Sequence, residues 1–268
     1  QLTVAQAAER IRSKTLSPVE LAQSLLDRID RMDGELRAWV TVDREEVLGT
    51  ARQREAEVEQ GKPLGPVHGV PVGLKDIFYT SGMKTAAGSK VYAEFVPDFD
   101  ATSVTKIKVA GGIILGKAVT TEFATSDPSP TRNPWNPQHT PGGSSSGSAA
   151  AVAARMVPAA LGSQTGGSTC WPAAYNGVVG LKATYGRISR YGVVPVSWSL
   201  DHVGILVRTV ADAALMLTVI SGEDPNDPGS LALPVPDFSQ QMAESCKPPR
   251  IGLVKEYFLE TATPEMWS

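Results

Sequence analysis

Apolar positions repeat at helical spacing near the N-terminus. Thr3-Val4-Ala5-Gln6 has the form of a capping box, and Ser17-Pro18-Val19-Glu20 repeats that form with proline at the first helical position. Behind the second box, Leu21, Leu25, Ile29 and Met32 mark one helix face. A charged stretch from about Asp43 to Gln60 predicts a third, solvated helix that Gly61 ends. The pattern then shortens. Within Gly69 to Phe78, Val70, Val72 and Leu74 share one parity, which predicts a strand with Lys75 on its other face. Asp100 stands where it can cap a helix reaching Ala110, Gly111-Gly112 break it, and Ile113-Ile114-Leu115 reads as a short buried strand. Residues 127–143 hold five prolines and read as ordered loop, and Ser148 to Met156 reads as a small-residue helix. Thr209-Val210-Ala211-Asp212 opens a further helix that Gly222 closes. A polar, proline-rich connection over 223–250, either linker or surface loop, leads to a final strand at Ile251-Gly252-Leu253-Val254. Helices alternating with short apolar strands predict an α/β fold without internal repeats.

Composition narrows the function. The 268 residues are 42% apolar, enough for a real core, and their length allows one large domain or two small ones. A net charge of −3 gives no basic footprint, so nucleic-acid contact is not expected. No run approaches ~20 apolar residues, so no membrane-spanning helix is expected. The chain begins at Gln1 rather than Met and shows no basic-then-apolar leader, and the expected location is cytoplasmic. Cys170 and Cys246 are far apart, and His68, His139 and His202 lack metal-ligand spacing. Neither a disulfide framework, a metal site nor a cofactor is expected.

The densest chemistry lies in two Ser/Gly-rich turns around the Ala-rich helix: Thr140-Pro-Gly-Gly-Ser144-Ser145-Ser146-Gly147-Ser148 and Gly162-Ser163-Gln164-Thr165-Gly166-Gly167-Ser168. Consecutive glycine N–H groups form an anion-binding nest, and a serine at its end is a nucleophile with an oxyanion hole already built. The competing reading, a flexible linker, conflicts with the apolar segments on both sides. Three other motif matches fail on context. Gly143-Ser144-Ser145-Ser146-Gly147 fits a nucleophile elbow at Ser145 but follows a proline-rich loop rather than a strand. Ser81-Gly-Met-Lys84 lacks the partner motifs of a Ser-x-x-Lys hydrolase. Gly111 to Lys117 resembles a phosphate loop, but Ala118 follows where Ser or Thr would hold magnesium. His202 beside Asp201 leaves a Ser-His-Asp arrangement open, with less support than a lysine base.

The chain resembles the amidase signature family. The resemblance rests on Gly142-Gly143-Ser144-Ser145, Gly166-Gly167-Ser168, Pro172-Ala173, Gly177 to Thr184, and the upstream Pro71-Val72-Gly73-Leu74-Lys75-Asp76. Ser189-Arg190-Tyr191-Gly192, Ser199-Leu200-Asp201 and Arg208-Thr209-Val210 extend it, from Leu2 to Tyr257. It implies one mixed sheet flanked by helices, a single domain over 1–268 that is the N-terminal portion of a unit nearly twice this length, and homodimers in some members. It implies Ser168 as acyl-enzyme nucleophile, Ser144 after a cis peptide bond as proton relay, and Lys75 as general base. The N–H groups of Thr165, Gly166, Gly167 and Ser168 become the oxyanion hole, with Ser145, Ser163 and Gln164 in support. A lysine acts as a base only when neutral, which burial among Val72, Leu74, Ile77 and Phe78 favours.

Two positions depart from the family pattern, which has Asp four residues before the nucleophile and Arg two after it; here these are Gln164 and Cys170. Losing both members of a pair leaves no unpaired charge, so the changes are expected to be coupled through proximity. Cys170 and Trp171 are candidate substrate-pocket residues, although Trp171 is read first as core. Without the arginine, a neutral or aryl amide is favoured over a free acid. The leading expectation is a hydrolase of linear amides acting on a small molecule. The alternatives are an aryl acylamidase, esterase or carbamate hydrolase with the same three residues, a glutaminase component of a glutamyl-tRNA amidotransferase, and a non-catalytic scaffold.

Overall fold

The computed structural model describes residues 2–242, 244, 248, 250–252, 256 and 260–264. Helix α1 (Val4–Arg12) carries the expected capping box, with Thr3 and Gln6 bonding reciprocally. Ser17 caps α2 (Pro18–Leu36) through the N–H groups of Val19 and Glu20, with Pro18 at the first turn. The buried face of α2 is Ala22, Leu26, Ile29 and Leu36, one position round from the expected stripe. Leu21 and Leu25 are only half-buried, because they line a side cavity described below. Strand β1 (Trp39–Thr41) precedes α3 (Arg44–Glu59), which Asp43 caps and which buries Val47, Ala51 and Val58.

Strand β2 (Pro71–Lys75) is buried throughout, as is β3 (Ile113–Ala118). Between them lies α4 (Thr102–Val109), whose cap corrects an expectation. Ala101 occupies the cap position without a side-chain bond, and Asp100 instead accepts from Ser81 N and pairs with Lys108. Helix α5 (Ser146–Ala153) starts two residues earlier than the sequence predicts. Strand β4 (Ala159–Gln164), α6 (Cys170–Asn176), β5 (Val179–Lys182) and β6 (His202–Val207) follow. Thr209 caps α7 (Val210–Ile220), and the short α8 (Phe238–Gln241) lies within the proline-rich connection. That connection is pinned to the body. Asp227 pairs with Arg190 at 2.7 Å, and Asp224 accepts from Ser189 Oγ at 2.6 Å, so the linker reading of this stretch does not hold. The strand expected at Ile251 to Val254 rests on Leu253 and Val254, which lie outside the described residues, as does Cys246.

The described strands form one mixed sheet in the order β1-β3-β2-β4-β6-β5. β2 runs parallel to both β3 and β4, whereas β1, β5 and β6 are antiparallel to their neighbours. Side-chain alternation splits the core in two. Ile114, Ala159, Leu161 and Ile205 face α1, α4 and α7, while Ile113, Leu115, Ala160 and Leu206 face α2, α3 and α5. The α/β expectation therefore stands, with helices on both faces.

The Ala-rich α5 sits unusually close to the sheet. A Cβ on Gly147 would come within 2.2 Å of Ala38 O and 2.4 Å of Val119 N, so only glycine admits this approach. The hydroxyls around it bond to the body: Ser148 Oγ donates to Leu161 O at 3.0 Å, and Ser129 Oγ donates to Ser146 Oγ at 2.7 Å. This satisfaction makes the Ser/Gly segment an ordered wall rather than a linker.

Candidate active site

Three chain segments converge at one end of the sheet. β2 supplies Lys75 as its last residue, the turn before α5 supplies Ser144, and the turn between β4 and α6 supplies Thr165 to Ser168. The peptide bond Gly143–Ser144 is cis. Ser144 O accepts from Thr121 N at 3.3 Å, and Ser145 N donates to Ser168 O at 3.2 Å, which ties the two turns together. Ser145 Oγ also accepts from Ser163 N and donates to Ser163 O, each at 3.2 Å, bracing the end of β4 against α5.

Lys75 is fully buried, and its Nζ lies 2.7 Å from Ser144 Oγ and 2.8 Å from Ser163 Oγ. No carboxylate pairs with it at ion-pair distance among the described residues. Burial penalises its charged form and pushes its pKa down to about 7, against a weaker upward pull from the Asp201 carboxylate. Near neutral pH, then, a large share of Lys75 is a free amine hydrogen-bonded to a serine.

Ser144, Ser168 and the Thr165-Gly166-Gly167 turn line one open cleft of about 640 Å³. The N–H groups of Thr165, Gly166, Gly167 and Ser168 donate to no other described residue. Such a row of free donors beside a serine is suited to holding a developing oxyanion. Beneath the turn, Thr165 Oγ1 donates to Asp201 Oδ1, and Asp201 Oδ2 accepts from Val196 N and Ser197 N at 2.8 and 2.9 Å. Asp201 thus anchors the turn. The sequence offered it only as part of a motif and as a partner for His202. His202 itself is directed elsewhere: its Nδ1 lies 2.6 Å from Leu200 O and its Nε2 3.4 Å from Lys182 Nζ, and it does not line the cleft.

Gln164 is buried, and its Oε1 accepts from Thr169 N at 3.0 Å and Cys170 N at 2.9 Å. It caps the start of α6 as a neutral amide, and the proximity of Gln164 and Cys170 expected from their joint departure is real. The core reading of Trp171 and the pocket placement of Cys170 need correction. Trp171 is 62% exposed rather than core, and it lines the cleft, because α6 begins at the surface with this side chain over the Gly-Gly turn. A Cβ on Gly167 would meet the Trp171 indole at 2.2 Å, so any larger residue there would displace the indole. Cys170 is exposed and free but is not part of the cleft lining.

Sequence reasoning also missed a second buried lysine. Lys117 on β3 donates to Phe78 O and, at 2.7 Å, to Thr85 Oγ1, while Asp76 accepts from Ala86 N at 3.1 Å. Burial pushes Lys117 down and Asp76 up, and each charge opposes the other's shift. Together they order the loop that follows Lys75. Among the described residues no cluster of His, Cys, Asp or Glu is arranged to hold a metal ion, and no helix is long and apolar enough to cross a membrane.

The chain is similar to known proteins over most of its length. A family model described as Amidase matches residues 20–267. The chain belongs to the amidase family. Among curated proteins it is 45% identical over 271 residues to the A-type subunit of glutamyl-tRNA(Gln) amidotransferase from Geobacter sp. strain M21, covering 99% of this chain and 56% of that one. Among solved structures, the peptide amidase from Stenotrophomonas maltophilia aligns with a TM-score of 0.85 and 37% identity, over 90% of this chain and 53% of that one. A bacterial aryl acylamidase of the amidase signature family aligns with a TM-score of 0.82 and 32% identity, over 89% and 51%. The chain spans about half the length of the curated relatives it matches.

Proposed function

We propose that this amidase-family chain hydrolyses the C–N bond of a linear amide through an ester on Ser168. The observation that carries the reading is the buried, unpaired Lys75 amine hydrogen-bonded to Ser144 beside the cleft that Ser168 lines. Neutral Lys75 takes the Ser144 proton as Ser144 takes that of Ser168, and Ser168 Oγ attacks the amide carbon. The carbonyl oxygen becomes an oxyanion facing the N–H groups of Thr165 to Ser168. Collapse breaks the C–N bond, and Ser144, resupplied by protonated Lys75, gives the amine its proton. Water then cleaves the ester by the same steps, releasing the acid. Ser163 orients Lys75, and Ser145 holds the two turns in register.

The amide itself is expected to be neutral or aryl-bearing. Trp171 flanks the cleft, and a neutral Gln164 stands at the start of α6 where a charged pair is absent. A second reading, glutamine as the amide and ammonia as the product, is favoured by the identity to A-type amidotransferase subunits. It carries with it partner proteins and a cytoplasmic setting. Both readings are tested by incubating the intact protein with anilides, aliphatic amides, carbamates and glutamine. Acid and amine release should be measured alongside the mass of the Ser168 peptide. An acyl adduct on Ser168 with an anilide or aliphatic amide supports the first reading, and one with glutamine alone supports the second. Turnover with an acyl adduct on another residue would refute the mechanism.

The acid limb of kcat/KM should have its midpoint near 7, the value to which burial lowers Lys75, with activity rising as pH passes through it. Asp201 supplies the charge that pulls Lys75 upward. Replacing it by Asn removes that charge and is expected to move the limb to lower pH, while the lost acceptor at Val196 N and Ser197 N loosens the turn. An unmoved limb would remove Asp201 from any electrostatic role.

A further inference from the structure

The end of β4 opposite the cleft holds a second site of different chemistry. A cavity of about 260 Å³ lies there between α1, α2 and the segments that enter β4 and leave β6. Four arginines line it: Arg28 and Arg31 from successive turns of α2, Arg155 before β4 and Arg208 after β6. Glu20 is the one carboxylate among the lining residues. Leu21 and Leu25, both half-buried, supply an apolar wall.

The arginines are not paired off. None of the four forms an ion pair among the described residues. Arg28 Nε donates to Ala154 O at 2.6 Å, and Arg208 donates to Val157 O at 3.1 Å and to Leu2 O. These carbonyls fix two guanidiniums in place without neutralising them. Arg31 and Arg155 are exposed and make no side-chain hydrogen bond among the described residues. Behind Arg208, Asp212 spends Oδ1 on Ala5 N at 2.9 Å, and it supplies the one carboxylate attraction acting on that arginine. Burial and the facing charges of Arg155 and Arg31 push Arg28 below its ordinary pKa, a sign that these guanidiniums work against one another. Gathering like charges around a concave apolar wall is unfavourable until an anion enters, and guanidinium forks match the oxygens of phosphate and carboxylate.

We propose that this cavity binds a small ligand carrying a phosphate or carboxylate on an apolar body, its anionic end seated among Arg28, Arg31, Arg155 and Arg208. The site lies at the opposite end of the sheet from the cleft and does not depend on the amidase reading. Arg31 and Arg155 are the positions to change, since neither supports the backbone. Arg155 has a left-handed φ of 60°, which glycine adopts without strain.

The test is calorimetric titration of the intact protein with inorganic phosphate and with phenyl phosphate in about 0.15 M salt, where diffuse surface attraction is screened. Saturable one-to-one binding is expected, with phenyl phosphate at least tenfold tighter because its ring covers Leu21 and Leu25. Arg31→Ala combined with Arg155→Gly should weaken both ligands at least tenfold while the thermal midpoint stays within a degree or two. Absence of saturation, or equal affinity in the double variant, would overturn the site. Equal affinity for the two probes would overturn the apolar half of the proposal.

Discussion

Ser168→Ala is expected to abolish amide turnover, with kcat falling on the order of a million-fold, as for other serine nucleophiles acting in concert with a base. The size of the loss follows from the surroundings. Ser144, the other cleft serine near the base, is held by Lys75 and by the backbone around Thr121, so it is not free to replace the nucleophile. Ser145 spends its hydroxyl on the backbone of Ser163, and the Ser163 hydroxyl accepts from Lys75. KM should change little, because the free N–H groups and Trp171 still meet the ground-state amide. Ser168 is half-buried at the cleft surface, so the variant should melt at the wild-type temperature. Turnover within tenfold of wild type would reject the mechanism outright.

Lys75→Met is expected to cost about ten-thousand-fold in kcat, the upper range for general-base catalysis. Methionine nearly matches the volume of lysine and removes a buried amine, which offsets the hydrogen bonds lost at Ser144 and Ser163, so stability near neutral pH should change little. The acid limb near 7 should vanish with it. Lys75→Arg makes the sharper comparison. Arginine retains positive charge and donor groups but never gives up its proton in this range. If Lys75 works as a base, the arginine variant is as inactive as the methionine one. If Lys75 merely donated hydrogen bonds to Ser144 and Ser163, arginine would restore activity. Linkage gives a second readout from the same lysine. Its folded pKa lies below its unfolded value, so the unfolded chain holds the proton more tightly across the interval between them. Wild-type stability should therefore rise with pH above about 7, and part of that slope should disappear in Lys75→Met, the remainder belonging to Lys117.

How far the fold could be read from sequence depended on how local the determining signal was. α1, α2, α3 and α7 announced themselves through caps a few residues from their first turns. β2 and β3 did so through dense apolar runs. β4 did not, because Ala-Ala-Leu-Gly-Ser-Gln has little β preference of its own and is held straight by pairing with β2 on one side and β6 on the other. β5 lies inside the Gly177 to Thr184 motif, and β6 follows a turn that Asp201 organises through tertiary contacts. The residues around the cleft were legible because the Gly-Gly turns and the Lys-Asp strand end are locally unusual. Asp201, Lys117 and the arginine cavity were not, since each depends on side chains brought together by tertiary packing. Trp171 was misjudged because its sequence neighbours look like core, and only the surface position of α6 exposes it.

Lys75 reaches Ser144 across 69 residues of sequence and Ser163 across 88, and Ser163 lies on β4, which pairs with β2. On a growing or unfolded chain Lys75 is an ordinary solvated ammonium, and Ser168 is one unreactive hydroxyl among many. Lys75 gains its lowered affinity for protons only when the sheet closes over it. Under the proposed mechanism, reactivity therefore arrives with the native state, and partly folded copies carry no activated Ser168. Non-local strand pairing, which slows folding, here doubles as a safety interlock on the chemistry.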